Sequence, residues 1–489
     1  MRRTLLLLVI AAIVIYVGPQ YLDYRQARQA LPPGVTLGGV HIPGKTTAEA
    51  VENVRALFES PILVFHGDRR IVLRAEEIGF KVDAEAMVEQ GQAFGRGPYA
   101  WRDFFFYLID RPPLENHVPV LYSYDRARLG AWLQKLAETY DNDPTPGYAR
   151  LSTLSWVEGR PGHYTDLNES AIRILAAFQS PNDRQANLVL RETPPLPPDF
   201  DALEKVIRER LEQFPGIYSL YFQHLPTGQS IDIDGDTAFA GMSTVKIPIL
   251  LKLYYDYDLP FEPRITNWIS DTVRSTTASN AAANALLYYI GDGNALAGAR
   301  EVTEFVRELG FDNTFIAIPY DSDLTPPVIR TPANTDPEYN TYPDPAMQTT
   351  PTDIGVMLAE IGRCAEGEGT LIAAYPDRIT PEECQDLIGW LEQNPMGWLI
   401  KYGVPKDARV AHKHGYAADT QGDVALIYGP EGPYVLAIYV YMYGWVVWDY
   451  SNPLMNDISR LIWNFFLFRQ GKPQLPPFDR SEQTGQSPG

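Results

Sequence analysis

Apolar and polar positions change their rhythm along the chain, and each change marks a different kind of segment. Residues 5–17 form an uncharged apolar run. Arg2 and Arg3 precede it, Gly18-Pro19 closes it, and Tyr21 and Tyr24 follow where an interface would lie. Such a run is a signal peptide or a signal anchor. It falls short of the about 20 apolar residues of a usual span, although Leu22 and the flanking tyrosines extend it. No small-x-small cleavage site follows directly, which favours a retained anchor over residues 1–24. A single-pass protein of the cell membrane is then expected, with the two arginines in the cytoplasm and everything after Tyr24 outside.

After the linker Ala30-Leu31-Pro32-Pro33-Gly34, strand-like alternation and helical spacing interchange. Residues 35–42 read as a strand, 46–60 as a helix capped by Thr46 or Thr47, and 61–82 as short strands around His66-Gly67-Asp68, with a further helix from Ala84. The order returns as a strand over 118–124, a helix over 126–140, strands over 149–164 around Gly159-Arg160-Pro161-Gly162 and a helix over 168–179. This approximate repeat predicts an α/β domain over 35–192. The proline cluster Thr193-Pro194-Pro195-Leu196-Pro197-Pro198 marks the next boundary. Beyond it residues 201–214 read as an amphipathic helix, and 217–225 and 229–233 alternate around Pro226-Thr227-Gly228 as a hairpin. Helices fill 243–394, strands occupy 409–412, 423–428 and 434–442, and a last helix covers 454–469. An α+β domain over 199–470 follows, with an antiparallel sheet built from both of its ends and a helical block between. The polar, proline-containing residues 471–489 predict a disordered tail.

Composition narrows the functions open to this chain of 489 residues. With 45% hydrophobic and 12% aromatic residues it fills ordinary cores, which excludes wholesale disorder. Lys+Arg of 41 against Asp+Glu of 61 leaves a net charge of −20, which argues against nucleic-acid binding through a basic face. In an oxidising compartment Cys364 and Cys384 could form one bridge; two buried thiols are the alternative. There is no HExxH or CxxC, and the close pair His412 and His414 has no obvious third ligand. The expected chemistry therefore uses neither a metal nor another cofactor.

Just after the hairpin comes Gly241-Met242-Ser243-Thr244-Val245-Lys246-Ile247-Pro248. If a helix begins near Ser243, Lys246 lies one turn away on the same face. The amine then comes within reach of the hydroxyl, and a lysine neutralised by burial can act as base towards a serine nucleophile. Lys246 is the one charge in a segment otherwise fit for burial. A capped helix with a solvated lysine is the structural alternative.

At these residues the sequence resembles the class A serine β-lactamases and the related penicillin-recognising D,D-peptidases, in which an SxxK, an S-D-N or S-x-N element and a K-T-G follow in this order. The second element is similar to Thr277-Ala278-Ser279-Asn280 and the third to Val410-Ala411-His412-Lys413-His414-Gly415-Tyr416, and the resemblance covers about 200–470. It implies that Ser243 attacks an amide or lactam carbonyl and Lys246 takes its proton, while the N–H groups of Ser243 and Tyr416 form the oxyanion hole. Asn280 would hold the substrate amide, and Lys413 would favour an anionic substrate and bridge towards Ser279; His414, Gly415 and Tyr416 would line the substrate. Two departures accompany it. Ala278 stands where the family has serine, so the proton-relaying hydroxyl is missing unless Ser279 or Thr277 swings in. His414 stands where the family has threonine; its imidazole can hydrogen-bond or, when protonated, pair with a carboxylate. The resemblance also implies a deacylating carboxylate in an E-x-x-x-N loop before a T-T-x-P stretch; Asp336-Pro337-Glu338-Tyr339-Asn340 ahead of Thr349-Thr350-Pro351 is similar to it, which puts Asp336 at that position with Glu338 competing and an acidic surface loop as the alternative.

The N-terminal region resembles the peptidoglycan-binding domain found ahead of VanW-type and transpeptidase-like exported proteins, on Leu37-Gly38-Gly39-Val40-His41-Ile42-Pro43-Gly44-Lys45-Thr46 and Glu77-Ile78-Gly79-Phe80. A spacer that lifts the second domain off the membrane explains the same residues. The function expected from the resemblances is a membrane-anchored, extracytoplasmic serine hydrolase that is acylated at Ser243 and hydrolyses β-lactams. D,D-peptidase or esterase activity, or non-catalytic wall binding, are the alternatives. The expected partners are a β-lactam or peptidoglycan-derived substrate, the cell wall and the membrane.

Overall fold

The computed structural model describes residues 2–27, 31–32, 34–42, 46–94, 100–109, 115–335 and 337–478. The chain divides into two compact units, one of residues 1–145 and 160–195, the other of 146–159 and 196–489.

In the first unit the apolar N-terminal run lies within the helix Arg2–Ala27. Among the described residues no helix is long and apolar enough to cross a membrane. The transmembrane helix read from the sequence is therefore not found, in keeping with a run that Gly18, Pro19 and Gln20 interrupt after Val17. The α/β part follows the expected order. The strand Val35–Leu37 pairs antiparallel with Val40–His41 and parallel with Asn116–Val118. Ile62–His66 pairs antiparallel with Arg69–Leu73 and parallel with Gln185–Asn187. Helices Thr47–Phe58, Ala84–Ala93, Arg126–Tyr140 and Leu167–Gln179 are each capped by an acceptor side chain, from Thr46, Asp83, Asp125 and Asp166. Their apolar faces, including Val54, Phe58, Leu129, Leu133, Ile174 and Phe178, meet Val64, Ile78 and Phe80 in one core. Gly38 turns the first hairpin at φ 57°, and a Cβ there would lie 2.5 Å from the Phe58 ring.

The second unit is organised by a five-stranded antiparallel sheet in the order Ser230–Ile233, Ile217–His224, Gly432–Tyr441, Thr420–Gly429, Val410–Tyr416. Strands from the two ends of the domain meet at its centre, where Ile217 to His224 pair residue for residue with Tyr441 to Tyr434. These strands are buried on both faces and so read as nearly continuous apolar runs. One face packs on helices Phe200–Leu211 and Trp448–Arg469, where Leu220, Phe222, Leu436 and Ile438 meet Ile458, Leu461 and Phe465. The other packs on the helical block through Tyr221, Val435, Ala437 and Tyr439, with Lys246–Asp256 and Pro351–Ala365 nearest.

Two segments depart from the expected boundaries. The hairpin Tyr148–Arg150 and Ser155–Val157, read as part of the first domain, belongs to the second unit. Its Trp156 indole donates to the Leu461 carbonyl at 3.0 Å and packs edge-on to Phe465. The start of the tail is ordered by hydrogen bonds rather than loose. Gln474 exchanges two bonds with the Trp156 backbone, Asn464 exchanges two with Leu475, and Phe478 lies over the Arg460 guanidinium. Residues 479–489 lie outside the described residues.

Cys364 and Cys384 form a disulfide that joins helix Pro351–Ala365 to helix Pro381–Leu391 inside the core. It closes a loop of 20 residues. Replacing both cysteines by alanine is expected to lower unfolding free energy by about 2–4 kcal/mol in a guanidinium titration. Thiol counting on the unreduced native protein should find no reactive cysteine.

Candidate active site

The chain enters the site through a short strand, Phe239–Ala240, and a tight turn before helix Lys246–Asp256. Met242 adopts φ 49°, a left-handed backbone that costs energy in a residue with a side chain. Three contacts hold the turn. Thr244 Oγ1 donates to the Gly241 carbonyl at 2.6 Å, the Tyr439 hydroxyl donates to Thr244 Oγ1 at 2.6 Å, and the Tyr320 hydroxyl donates to the Met242 carbonyl at 2.8 Å. Ser243, half-buried, is thus presented at the mouth of the turn with Lys246 one turn further on.

Lys246 has no exposed surface. Its Nζ lies 3.0 Å from Ser243 Oγ, 2.8 Å from Ser279 Oγ and 2.8 Å from Asn280 Oδ1, and 4.7 Å from the centre of the Tyr320 ring. Burial first, then the Lys413 ammonium, pushes its pKa down to about 7, against the pull of Asp321. The hydrogen-bond directions assign its partners. Ser279 spends its own proton on the Thr272 carbonyl at 2.7 Å, so its oxygen can only accept from Lys246. Asn280 turns its amide nitrogen to Asp321 at 3.0 Å, so Oδ1 also accepts. A neutral amine then gives its two N–H bonds to Ser279 and Asn280, and its lone pair is left facing the Ser243 hydroxyl.

The third element is the edge strand Val410–Tyr416. Ala417 N donates to Thr420 O at one end and Tyr428 N to Arg409 O at the other. In an antiparallel ladder bonded at these odd positions, 412, 414 and 416 turn their N–H and C=O groups to the free edge. Two of those carbonyls have partners there, since Asn394 Nδ2 donates to His412 O at 3.0 Å and Lys413 Nζ to His414 O at 3.2 Å. Gly415 lets the strand close on the nucleophile. A Cβ at this position would lie 2.8 Å from Ser243 N and 2.8 Å from Met242 Cβ. Gly415 thus brings the strand against the Ser243 N–H, and the Tyr416 N–H comes next along the free edge.

The remaining sequence-derived residues fare differently. Lys413 is buried, its pKa lowered to about 8 by burial against the opposing pull of Asp423, and its amine serves the strand edge rather than a bridge to Ser279. Ser279 anchors Lys246, and Thr277, whose N–H is held by Ser275 Oγ, is exposed. The Ser279 hydroxyl proton is thus committed elsewhere, and among the described residues no contact brings the Thr277 hydroxyl into the place left by Ala278. Glu338 is not brought to the cluster. It lines a separate cleft of about 370 Å³ with Asp232, Asp234 and Asp236. Asp336 lies outside the described residues.

His414 cannot serve as a cation. Burial, then Lys413, His412 and Lys246, pushes its pKa down to about 2, so the pairing of a protonated ring with a carboxylate gives way to a neutral imidazole. Asn394, which the sequence reading passed over, selects its tautomer. Asn394 Oδ1 accepts from Met396 N, so Nδ2 faces both His412 O and, at 3.4 Å, His414 Nδ1. Nδ1 is the acceptor, and Nε2 carries the proton.

Two more residues escaped sequence reasoning. Asp321 is a carboxylate that, among the described residues, the structure ties to the cluster through Asn280. Tyr320 is locked ahead of it by Asn284, whose amide takes the Tyr320 N–H at 2.9 Å and donates to its carbonyl at 2.8 Å. Asn280 and Asn284 lie one turn apart on helix Ser279–Ile290, and that spacing was the available signal for a clamp. In ¹⁵N spectra His414 should show a proton on Nε2 and none on Nδ1 across neutral pH. The Asn394→Leu variant should lose that bias, and a doubly protonated ring near pH 7 would contradict the assignment.

Among solved structures, a protein named PBP-A is 22% identical, with 54% of this chain and 95% of that one covered at a TM-score of 0.41. A beta-lactamase from Desulfarculus baarsii DSM 2075 is 20% identical, with 54% and 97% covered at 0.41. A last common ancestor of Gram-negative bacteria beta-lactamase class A is 21% identical, with 53% and 98% covered at 0.40. No curated protein matches the chain. The model of the beta-lactamase enzyme family matches residues 202–259 and 269–466, just over half of the chain. The serine, its lysine and the edge strand all fall within that match, and the chain belongs to the beta-lactamase enzyme family.

Proposed function

We propose that this protein is a serine hydrolase that is acylated at Ser243 and hydrolyses β-lactams. The observation that carries the proposal is the buried Lys246 amine, whose neutral form has Ser243 as the one partner able to donate to it. In the acylation step Ser243 Oγ attacks the carbonyl carbon while its proton passes to Lys246 Nζ. The carbonyl oxygen gains charge between the N–H groups of Ser243 and Tyr416. The C–N bond breaks, and the leaving ring nitrogen receives from Lys246 the proton that Lys246 took from Ser243, since the Ser279 hydroxyl proton is committed to Thr272. The proposal assigns the orienting of the water that releases the acyl group to Asp321, which Asn280 holds near Lys246. The buried Lys413 and the Nε2–H of His414 supply positive potential and a neutral donor along the strand edge.

A second reading is a D,D-peptidase or penicillin sensor with slow deacylation. What favours it is that Asp321 is exposed and shares its oxygens with Asn280. The same proposal holds the chain at the cell membrane through its N-terminal helix, with the catalytic unit outside the cytoplasm. Its support is the Arg2-Arg3 pair ahead of the apolar run and a disulfide of the kind that persists in oxidising compartments. A wall-binding role for the first unit rests on its sequence resemblance.

Intact-mass analysis of the protein with benzylpenicillin tests the proposal. A transient adduct with product accumulating is expected, and Ser243→Ala should abolish both. Asp321→Asn should leave acylation within a few-fold and slow release roughly a hundredfold, so that the adduct persists. Absence of any adduct on the parent protein would refute β-lactam acylation.

A further inference from the structure

The first unit carries a second apolar element that its core does not use. Helix Ala100–Leu108 has the sequence Ala-Trp-Arg-Asp-Phe-Phe-Phe-Tyr-Leu. Trp101 is 70% exposed and Phe105, one turn on, 53% exposed, with Tyr107 and Ile109 also exposed. The same helix packs on Arg2–Ala27. Phe104 meets the rings of Tyr21 and Tyr24 at 5.1 Å each, and Tyr107 meets Tyr24 at 5.2 Å. Trp101 and Phe104 also line a largely apolar cavity of about 500 Å³ with Ile13, Val14, Val17 and Gly18.

The N-terminal helix is apolar all round. Ile13 and Val14 border the cavity, Ile15, Tyr16 and Leu22 lie on other sides of the helix, and all five are exposed, Ile15 by 73%. Together with Trp101 and Phe105 they expose more aliphatic and aromatic surface than scattered surface residues account for. Its composition identifies the occupant. Aliphatic residues occupy the middle of Arg2–Ala27, while Trp101, Phe105, Tyr107, Tyr16 and Tyr21 collect towards its C-terminal half. Tryptophan and tyrosine partition to the headgroup level of a bilayer, where an apolar ring and a polar atom are both satisfied. The surface also includes part of a run too short for an ordinary span, whose apolar surface the second helix enlarges.

We propose that helix Ala100–Leu108 is a lipid-docking element, lying in the headgroup region of a bilayer beside the N-terminal helix. This rests on the reading that the N-terminal helix is held at a membrane. The docking element adds to that anchor a second attachment along the membrane plane.

Because both native cysteines are bridged, one introduced cysteine can carry an environment-sensitive fluorophore on the full chain. The labels go on Val14→Cys, Trp101→Cys and, as an exposed control on helix Thr47–Phe58, Glu52→Cys. The probe is phosphatidylcholine–phosphatidylglycerol vesicles containing nitroxide-labelled lipid. Labels at 14 and 101 are expected to shift to the blue and be quenched several-fold, with the label at 52 unchanged. Quenching at 14 with none at 101 would overturn this inference and leave the anchor standing. No quenching at either would overturn both. A concentration-dependent blue shift at 101 without lipid quenching would assign the face to a second copy and overturn the proposal. Should Trp101→Cys fail to fold, Phe105→Cys on the same stripe repeats the test. The double variant Trp101→Glu/Phe105→Glu should weaken vesicle partitioning roughly tenfold or more while the N-terminal helix is intact.

Discussion

A lysine amine with no access to water is the constraint on which the rest of the site depends. Burying an ammonium costs several kcal/mol unless it is fully hydrogen-bonded. Here three oxygens surround Nζ, and two of them are barred by their own commitments from doing anything but accept. Burial and Lys413 then make loss of the proton easy near neutral pH, and the vacated direction points at Ser243. The pairing of nucleophile and base thus follows from how Thr272 and Asp321 engage Ser279 and Asn280.

The fold supplies this arrangement from three separate elements. Helix Ser279–Ile290 contributes both the Lys246 anchors and, through Asn284, the clamp on Tyr320. Tyr320 in turn supports the Met242 carbonyl under the Ser243 turn and lays its ring against Lys246, so one side chain couples the nucleophile turn to the base. The edge strand completes the site because the glycine at 415 allows backbone to approach backbone at Ser243 N. Its free edge is partly occupied by Asn394 and Lys413, leaving the Tyr416 N–H at its end.

Much of this was legible in the sequence where the signal was local. Ser243 and Lys246 are three residues apart, alternation around Pro226-Thr227-Gly228 marks the hairpin, and the strand-like residues 434–442 mark its partner in the sheet. The residues that escaped notice act across long separations. Asp321 reaches Asn280, Tyr320 reaches Met242 and Asn394 reaches His412 from loops and helix ends that carry no periodicity. The spacing that singled out Asp336 and Glu338 was a short pattern in an irregular loop, and in the fold Glu338 faces the Asp232, Asp234 and Asp236 cleft. The hairpin at Trp156 shows the same limit from another side. Strands are legible over 149–164, but the pair turns at 151–154 rather than at Gly159-Arg160-Pro161-Gly162, and the core that receives it is settled by Leu461 and Phe465, far along the chain.

The central claim is that neutral Lys246 takes the Ser243 proton, and the pH dependence of acylation tests it most directly. Single-turnover acylation of Ser243 by a penicillin should rise with pH along one acid limb near pH 7, where Lys246 loses its proton, and level off above it. Lys246→Ala should remove the limb together with nearly all of the rate. An acylation rate with no limb near pH 7, or one that climbs only near the ordinary lysine range, would contradict the account.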